Sequence, residues 1–134
     1  MTGSRRNRIT GMGELQLAVV DALIELGEGT VYDVLDQFPE GERPRYNTVM
    51  TVLRALEEKG LAQHRTQERA FVFRPTAEAY RVREGVLRDV VDRVFGGSPT
   101  RLMATLLSAD AVTPEVLDEL RGLIDAQEVS DDAR

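Results

Sequence analysis

The spacing of apolar residues between positions 13 and 75 is helical three times in succession and then switches to that of two short strands. Few compact folds accommodate that order. Leu15, Ala18, Val19, Ala22, Leu23 and Leu26 recur at three- and four-residue steps, while Glu14, Asp21 and Glu25 fall outside the stripe. This predicts a helix over 13–26, stopped by Gly27 and Gly29. Thr30 suits the cap of a second, short helix, with Asp33 in the first turn where the helix dipole favours an acid. Val31, Val34, Leu35 and Phe38 supply its apolar side, and Pro39, Gly41 and Pro44 make the turn that follows. A third helix is expected from Tyr46 to Lys59, ended by Gly60. At about 100° per residue, Val49, Val52, Leu53 and Leu56 gather on one side of it. Asn47, Thr51, Arg54, Ala55 and Glu58 gather on the other.

Past Gly60 the chain reads as extended. Residues 61–65 and 69–74 are expected strands, with Phe71, Val72 and Phe73 favouring β structure, Thr66-Gln67-Glu68 as the tip and Pro75 as the close. Helix, helix, helix, hairpin is the plan of a winged helix-turn-helix. The remainder reads as helical. Residues 76–95 carry Val82, Val86, Val90 and Val94 or Phe95 along one side, with Leu87 and Val91 beside them, and Gly96-Gly97 interrupts. Ser98-Pro99 and Thr113-Pro114 each place a capping residue before a proline, which predicts helices over 99–108 and 114–127. The expected fold class is therefore mainly α with a small antiparallel β wing. Its parts are a flexible basic arm (1–11), a winged helix-turn-helix DNA-binding domain (12–75), a helical dimerisation region (76–128) and a disordered tail (129–134).

The last two helices are too short to be stable alone in water. Leu102, Met103, Leu106 and Leu107 on one, and Val116, Leu117, Leu120, Leu123 and Ile124 on the other, form stripes that need covering. A twofold partner is the commonest solution and sets two third helices about 34 Å apart, one turn of DNA. The alternative is that these helices fold back on their own winged domain.

Charge points the same way once its distribution is considered. The net charge is −6, from 17 basic and 23 acidic residues, which by itself argues against a polyanionic partner. Residues 43–74, however, carry seven bases (Arg43, Arg45, Arg54, Lys59, Arg65, Arg69 and Arg74) against three acids, Glu57, Glu58 and Glu68. Residues 13–42 carry eight acids and no base. A basic centre between acidic flanks suits a protein that meets a polyanion with one face only.

Catalysis has little support. Cysteine is absent, which excludes a disulfide framework, thiolate metal sites and a cysteine nucleophile, and no metal or other cofactor is expected. The single histidine, His64, has no second histidine with which to build a metal site or triad. Glu57-Glu58 and Asp131-Asp132 point in different directions on a helix, and Gly96-Gly97-Ser98 lacks the lysine of a phosphate loop. No stretch approaches the about 20 apolar residues of a membrane span. The N-terminal Arg5, Arg6 and Arg8 resemble a twin-arginine signal, but Gln16, Asp21 and Glu25 break the apolar run that should follow. The expectation is a cytoplasmic protein with a basic arm that adds phosphate contacts.

A helix entering the major groove needs hydrogen-bonding side chains on its outer face. Asn47, Thr48, Thr51 and Arg54 meet that need: asparagine pairs with adenine, arginine with guanine, and threonine bonds a base edge or touches a thymine methyl. Arg43, Arg45 and Tyr46 at the start of the helix are placed for phosphates, and Arg65 and Arg69 straddle the wing tip. The expected partner is double-stranded DNA. The competing possibility is a winged helix that uses the same face to bind another protein, with the net −6 in its favour.

The run from Tyr46 to Leu61, YNTVMTVLRALEEKGL, resembles the recognition helix of the penicillinase-repressor family of BlaI, MecI and CopY type. Met12-Gly13-Glu14-Leu15, Arg69-Ala70-Phe71-Val72-Phe73, Val94-Phe95-Gly96-Gly97-Ser98-Pro99 and Leu117-Asp118-Glu119-Leu120 match in order and spacing, over about residues 12–126. The resemblance implies a homodimeric repressor on a palindromic, inverted-repeat operator, dimerised through its C-terminal helices. It also implies inactivation by cleavage, triggered by a membrane-embedded metalloprotease sensor. The step corresponding to the family's Asn–Phe cut is Thr105-Leu106, a different pair of residues. The copper-responsive branch carries a cysteine-rich hook, which this chain lacks.

Overall fold

A computed structural model describes residues 12–132. The expected basic arm, with Arg5, Arg6 and Arg8, lies outside the described residues. The chain forms two compact units, one ending at Asp89 and the other beginning at Val90.

In the first unit α1 (Glu14–Leu26) is stopped by Gly27, whose N–H still reaches the Leu23 carbonyl at 2.8 Å but whose φ of 78° turns the chain out of the helix. Val19, Val20, Ala22, Leu23 and Ile24 are buried, while Leu15, Ala18 and Leu26 are only partly so. The buried arc is wider than the expected stripe because α1 packs against α2 (Val31–Asp36), α3 (Tyr46–Glu58) and β2 (Ala70–Pro75) together. A helix met on several sides buries more than one stripe.

Thr30 caps α2 as the sequence predicts. Its hydroxyl accepts from the Asp33 N–H at 3.3 Å and the Asp33 carboxylate accepts from the Thr30 N–H at 2.9 Å, a reciprocal box. Val31 and Val34 are buried beneath it. On α3 the inward side is as expected: Val49, Leu53 and Leu56 are 0% exposed and Val52 is half-buried. Thr76 closes the end of this helix, donating its hydroxyl to the Gly60 carbonyl at 2.7 Å.

The wing is an antiparallel hairpin of β1 (Ala62–Gln67) and β2, in register from Ala62↔Pro75 to Gln67↔Ala70. Its tip is Glu68-Arg69, shorter than the expected Thr66-Gln67-Glu68, and both residues have positive φ, 49° and 72°. Two-residue turns with that backbone match the right-handed twist of paired strands and usually carry Asn-Gly. Here two bulky residues occupy them. Phe73 is fully buried, and its backbone exchanges two hydrogen bonds with Gly29, at 2.8 and 2.9 Å. Gly29 thus forms a bridge on the edge of β2 opposite β1. From the sequence alone Gly29 reads as part of a helix stop.

The helix α4 (Ala77–Val94) puts Ala79 and Val82 against the core of the first unit, whereas Leu87, Val90 and Val94 are exposed. In the second unit, α5 (Pro99–Ser108) starts at Ser98, whose hydroxyl accepts from the Arg101 N–H at 3.2 Å. The next helix, α6 (Pro114–Asp132), starts likewise at Thr113, which accepts from the Val116 N–H at 3.2 Å. α6 runs to Asp132 rather than ending at 127, so residues 129–132 of the expected tail are helical. Nothing between Ile124 and Asp132 is a glycine or proline that would stop it. The architecture is a winged helix-turn-helix followed by further helices, and no helix among the described residues is long and apolar enough to cross a membrane.

Candidate nucleic-acid interface

With Val49, Leu53 and Leu56 packed inward, the helical period leaves Asn47, Thr48, Thr51 and Arg54 on the outside of α3, and all four are exposed. The Thr51 hydroxyl donates to the Asn47 carbonyl at 2.9 Å, which holds its rotamer and leaves its oxygen lone pairs free to accept. Arg54, Arg45 and Arg69 have no ion pair or hydrogen bond among the described residues. They are unspent cations, at the middle of α3, at its N-cap and at the wing tip. Because Arg45 caps α3 without a side-chain bond, the first amides of the helix stay open to an acceptor.

Two other expected phosphate contacts are engaged within the chain. Arg43 donates from Nε to the Phe38 carbonyl at 3.2 Å and sits 3.4 Å from Asp36, fastening the turn between α2 and α3. Arg65 meets Glu28 two-pronged, Nη1 to Oε2 at 2.6 Å and Nη2 to Oε1 at 3.0 Å, with Gln67 Oε1 at 3.0 Å as a third acceptor. The Arg65 guanidinium holds the Glu28 carboxyl below the usual carboxylate range, and Glu28 in turn raises the guanidinium. These cations differ from the unspent three: to reach a phosphate each must first release an acid.

Tyr46 is partly exposed and its ring lies 5.0 Å from that of Tyr32 on α2. Tyr32 is 68% exposed and was not singled out from the sequence. The available signal was a large aromatic on a six-residue helix whose buried positions, Val31 and Val34, lie to either side of it. The pair braces the N-terminal end of α3 against α2. His64 serves packing: Nδ1 is 2.5 Å from Glu57 Oε1, and the ring lies 4.6 Å from Phe71 and 5.4 Å from Phe73, tying β1 to the end of α3. Among the described residues no group of three acids or histidines is placed to hold a metal ion.

In the second unit the expected contact residues divide by exposure. Leu102, Val116, Leu117 and Leu120 are half-buried, while Leu106, Leu123 and Ile124 are exposed, as are Met103, Leu107 and Val129. Among its described residues only Val91 is buried. Thr105 and Leu106, the expected cleavage step, are exposed on α5.

Comparison with known proteins fits this geometry. A family model described as the penicillinase repressor matches residues 12–126. No curated protein sequence matches significantly. Among solved structures, the hsRosR-S1 complex is similar with a TM-score of 0.64 at 17% identity, covering 84% of this chain and 95% of that one. The YusO protein from Bacillus subtilis follows at 0.52 and 19% identity (90% and 76% covered). A MarR family protein from Bacillus stearothermophilus is similar at 0.51 and 14% (90% and 76% covered). At these identities the likeness to the solved structures is one of fold.

Proposed function

This chain belongs to the penicillinase repressor family of DNA-binding transcriptional repressors, and on that premise we propose that it binds an inverted-repeat operator as a homodimer. The observation that carries the reading is the division of α3, whose inner side chains are fully buried while Asn47, Thr48, Thr51 and Arg54 stand outside. A core-packed helix holds its outer face rigidly, which base recognition requires. Asn47 and Arg54 are the base-reading residues of this proposal, and Thr48 and Thr51 complete the surface. Arg45, Tyr46 and Arg69 fix the register on the backbone, with Arg43 and Arg65 at its margin.

Dimerisation rests on the second unit. Leu106, Leu123 and Ile124 are exposed and Leu102, Val116, Leu117 and Leu120 half-buried, apolar groups whose exposure water opposes, and in this proposal a second copy of the chain covers them by twofold symmetry. The same surface explains how a protease sensor would inactivate the repressor. α5 has no buried residue, so unwinding it to present Thr105-Leu106 sacrifices little packing, and the cut separates Leu102 from the contacts on α6. The experiment is an affinity series, at rising salt, on the promoter beside the protein's own gene, searched for an inverted repeat. Affinity that falls steeply with salt and exceeds that for random DNA supports the reading; a partner-binding module without DNA affinity gives neither.

A further inference from the structure

Building on the DNA-binding reading, we propose that Glu28 is a specificity-determining residue, which withholds Arg65 from phosphates until the recognition helix is seated.

The placement follows from the sheet. Arg65 on β1 is paired with Val72 on β2, and the far edge of β2 is bonded to Gly29. Cross-strand partners share a face, so the Arg65 side chain lies across β2 over Val72 to reach Glu28, the residue before Gly29. There the two-pronged contact and Gln67 occupy three of the five guanidinium donors. Asp33 and Glu68 line the same hollow, but Asp33 is committed to capping Thr30 and Glu68 makes no ion pair with Arg65, so Glu28 is the acid that holds Arg65. Four residues further along the hairpin, Arg69 has no partner among the described residues. Of the two arginines flanking the wing tip, one is therefore ready for phosphate and the other already neutralised; the third wing arginine, Arg74, donates to Gln63 Oε1 at 3.0 Å.

The pair is half-exposed on both sides, 49% and 51%. Such a pair is weak and open to exchange. A phosphate oxygen held at a fixed place beside the wing can displace Glu28, whose carboxylate returns to water. A duplex held loosely, with α3 unseated, offers no oxygen at a fixed place, and the pair stays closed. Binding to random sequence draws on phosphate contacts alone. A contact suppressed in loose complexes and recovered in the seated one lowers affinity for random DNA and leaves operator affinity largely intact. Glu28 thus widens the ratio between the two without touching a base.

The test compares wild type, Glu28→Gln, Arg65→Ala and the double variant on an inverted-repeat fragment and on a random duplex of equal length, over a range of salt. Glu28→Gln is expected to bind random DNA about fivefold more tightly per protomer at 0.15 M salt, with a log–log salt slope steeper by about 0.9 per protomer. Operator affinity changes less, so the specificity ratio falls. Arg65→Ala in the Glu28→Gln background removes the gain. Arg65→Lys, which cannot make the two-pronged contact, loosens the pair with Glu28 in place and shifts random-DNA affinity in the same direction. Unchanged or weaker random-DNA binding by Glu28→Gln overturns the proposal, as does a gain that survives in the double variant, which would be mere loss of an acid. If wild type itself shows no salt-dependent DNA binding, the DNA-binding reading fails and this inference with it; steep wild-type dependence with an unresponsive Glu28→Gln sinks this inference alone.

Discussion

Gly29→Ala is expected to be more damaging than Gly27→Ala, although Gly27 has the left-handed backbone and Gly29 does not. A Cβ on Gly29 would lie 2.8 Å from Asp33 Cβ, 3.1 Å from Asp33 Oδ2 and 3.2 Å from Leu26 Cδ1. The leucine tip can give way, but Asp33 Cβ is fixed to the α2 backbone. Gly29 cannot retreat either, because two hydrogen bonds hold it to Phe73, which is fully buried. Relief requires the first turn of α2 to shift, which spoils the Thr30–Asp33 box at about 1 kcal/mol and overpacks the bridge at about 1–3 kcal/mol. The total is about 2–4 kcal/mol. At Gly27, with φ 78° and nothing within 4 Å, the cost is backbone strain alone, about 1 kcal/mol. Urea unfolding followed by circular dichroism, at fixed protomer concentration, measures both. Asp33→Ala supplies the control: alanine keeps Cβ, so most of the Gly29→Ala penalty must persist in that background. A Gly29→Ala cost below about 0.5 kcal/mol, or one abolished by Asp33→Ala, refutes the argument from close approach.

At the wing tip, Arg69→Gly removes positive-φ strain and is expected to raise stability by about 1 kcal/mol while flattening the salt slope of DNA binding by about 0.9 per protomer; thermal melts and affinity series read the two effects. The Glu28 carboxyl is held below its ordinary value of 4.5 by Arg65, so the pair's stabilisation is fully present above pH 4.5 and is lost as pH falls through the lower folded-state value. Urea midpoints of wild type and Glu28→Gln should therefore differ at neutral pH and converge as the pH falls below the lowered folded-state value; a pH-independent difference contradicts this. Replacing Leu120 and Ile124 with aspartate is expected to yield a folded monomer by sedimentation, with affinity for the full inverted repeat lowered about 100-fold or more. An unchanged dimer would remove that surface from the interface.

Local chemistry was legible and long-range chemistry was not. The Thr30 cap, the Ser98-Pro99 and Thr113-Pro114 starts, the glycine stop at Gly27 and the two sides of α3 depend on neighbours within a turn and are legible as pattern. The Gly29–Phe73 bridge, the Glu28–Arg65 pair and the Tyr32–Tyr46 contact join segments far apart in sequence, and periodicity carries no signal of such meetings. The wing turn was misplaced because Glu68-Arg69 lacks the glycine or asparagine that normally announces positive φ. The end of α6 was set short because its last residues carry little apolar pattern; helix propensity and the lack of a breaker continue it. On the interface, residue type identified Arg43, Arg45, Arg54, Arg65 and Arg69 alike as candidates. Only geometry separated the spent ones, Arg43 and Arg65, from Arg45, Arg54 and Arg69.

The most direct test of the account is the affinity of Arg54→Ala, against wild type, for an inverted-repeat fragment and for random DNA at one salt concentration. If the outer side of α3 reads bases, the variant loses about 1–3 kcal/mol of discrimination, so its operator affinity collapses toward its random-DNA affinity. Equal losses on both duplexes would make Arg54 a phosphate contact and leave the proposed reading surface without its principal reader.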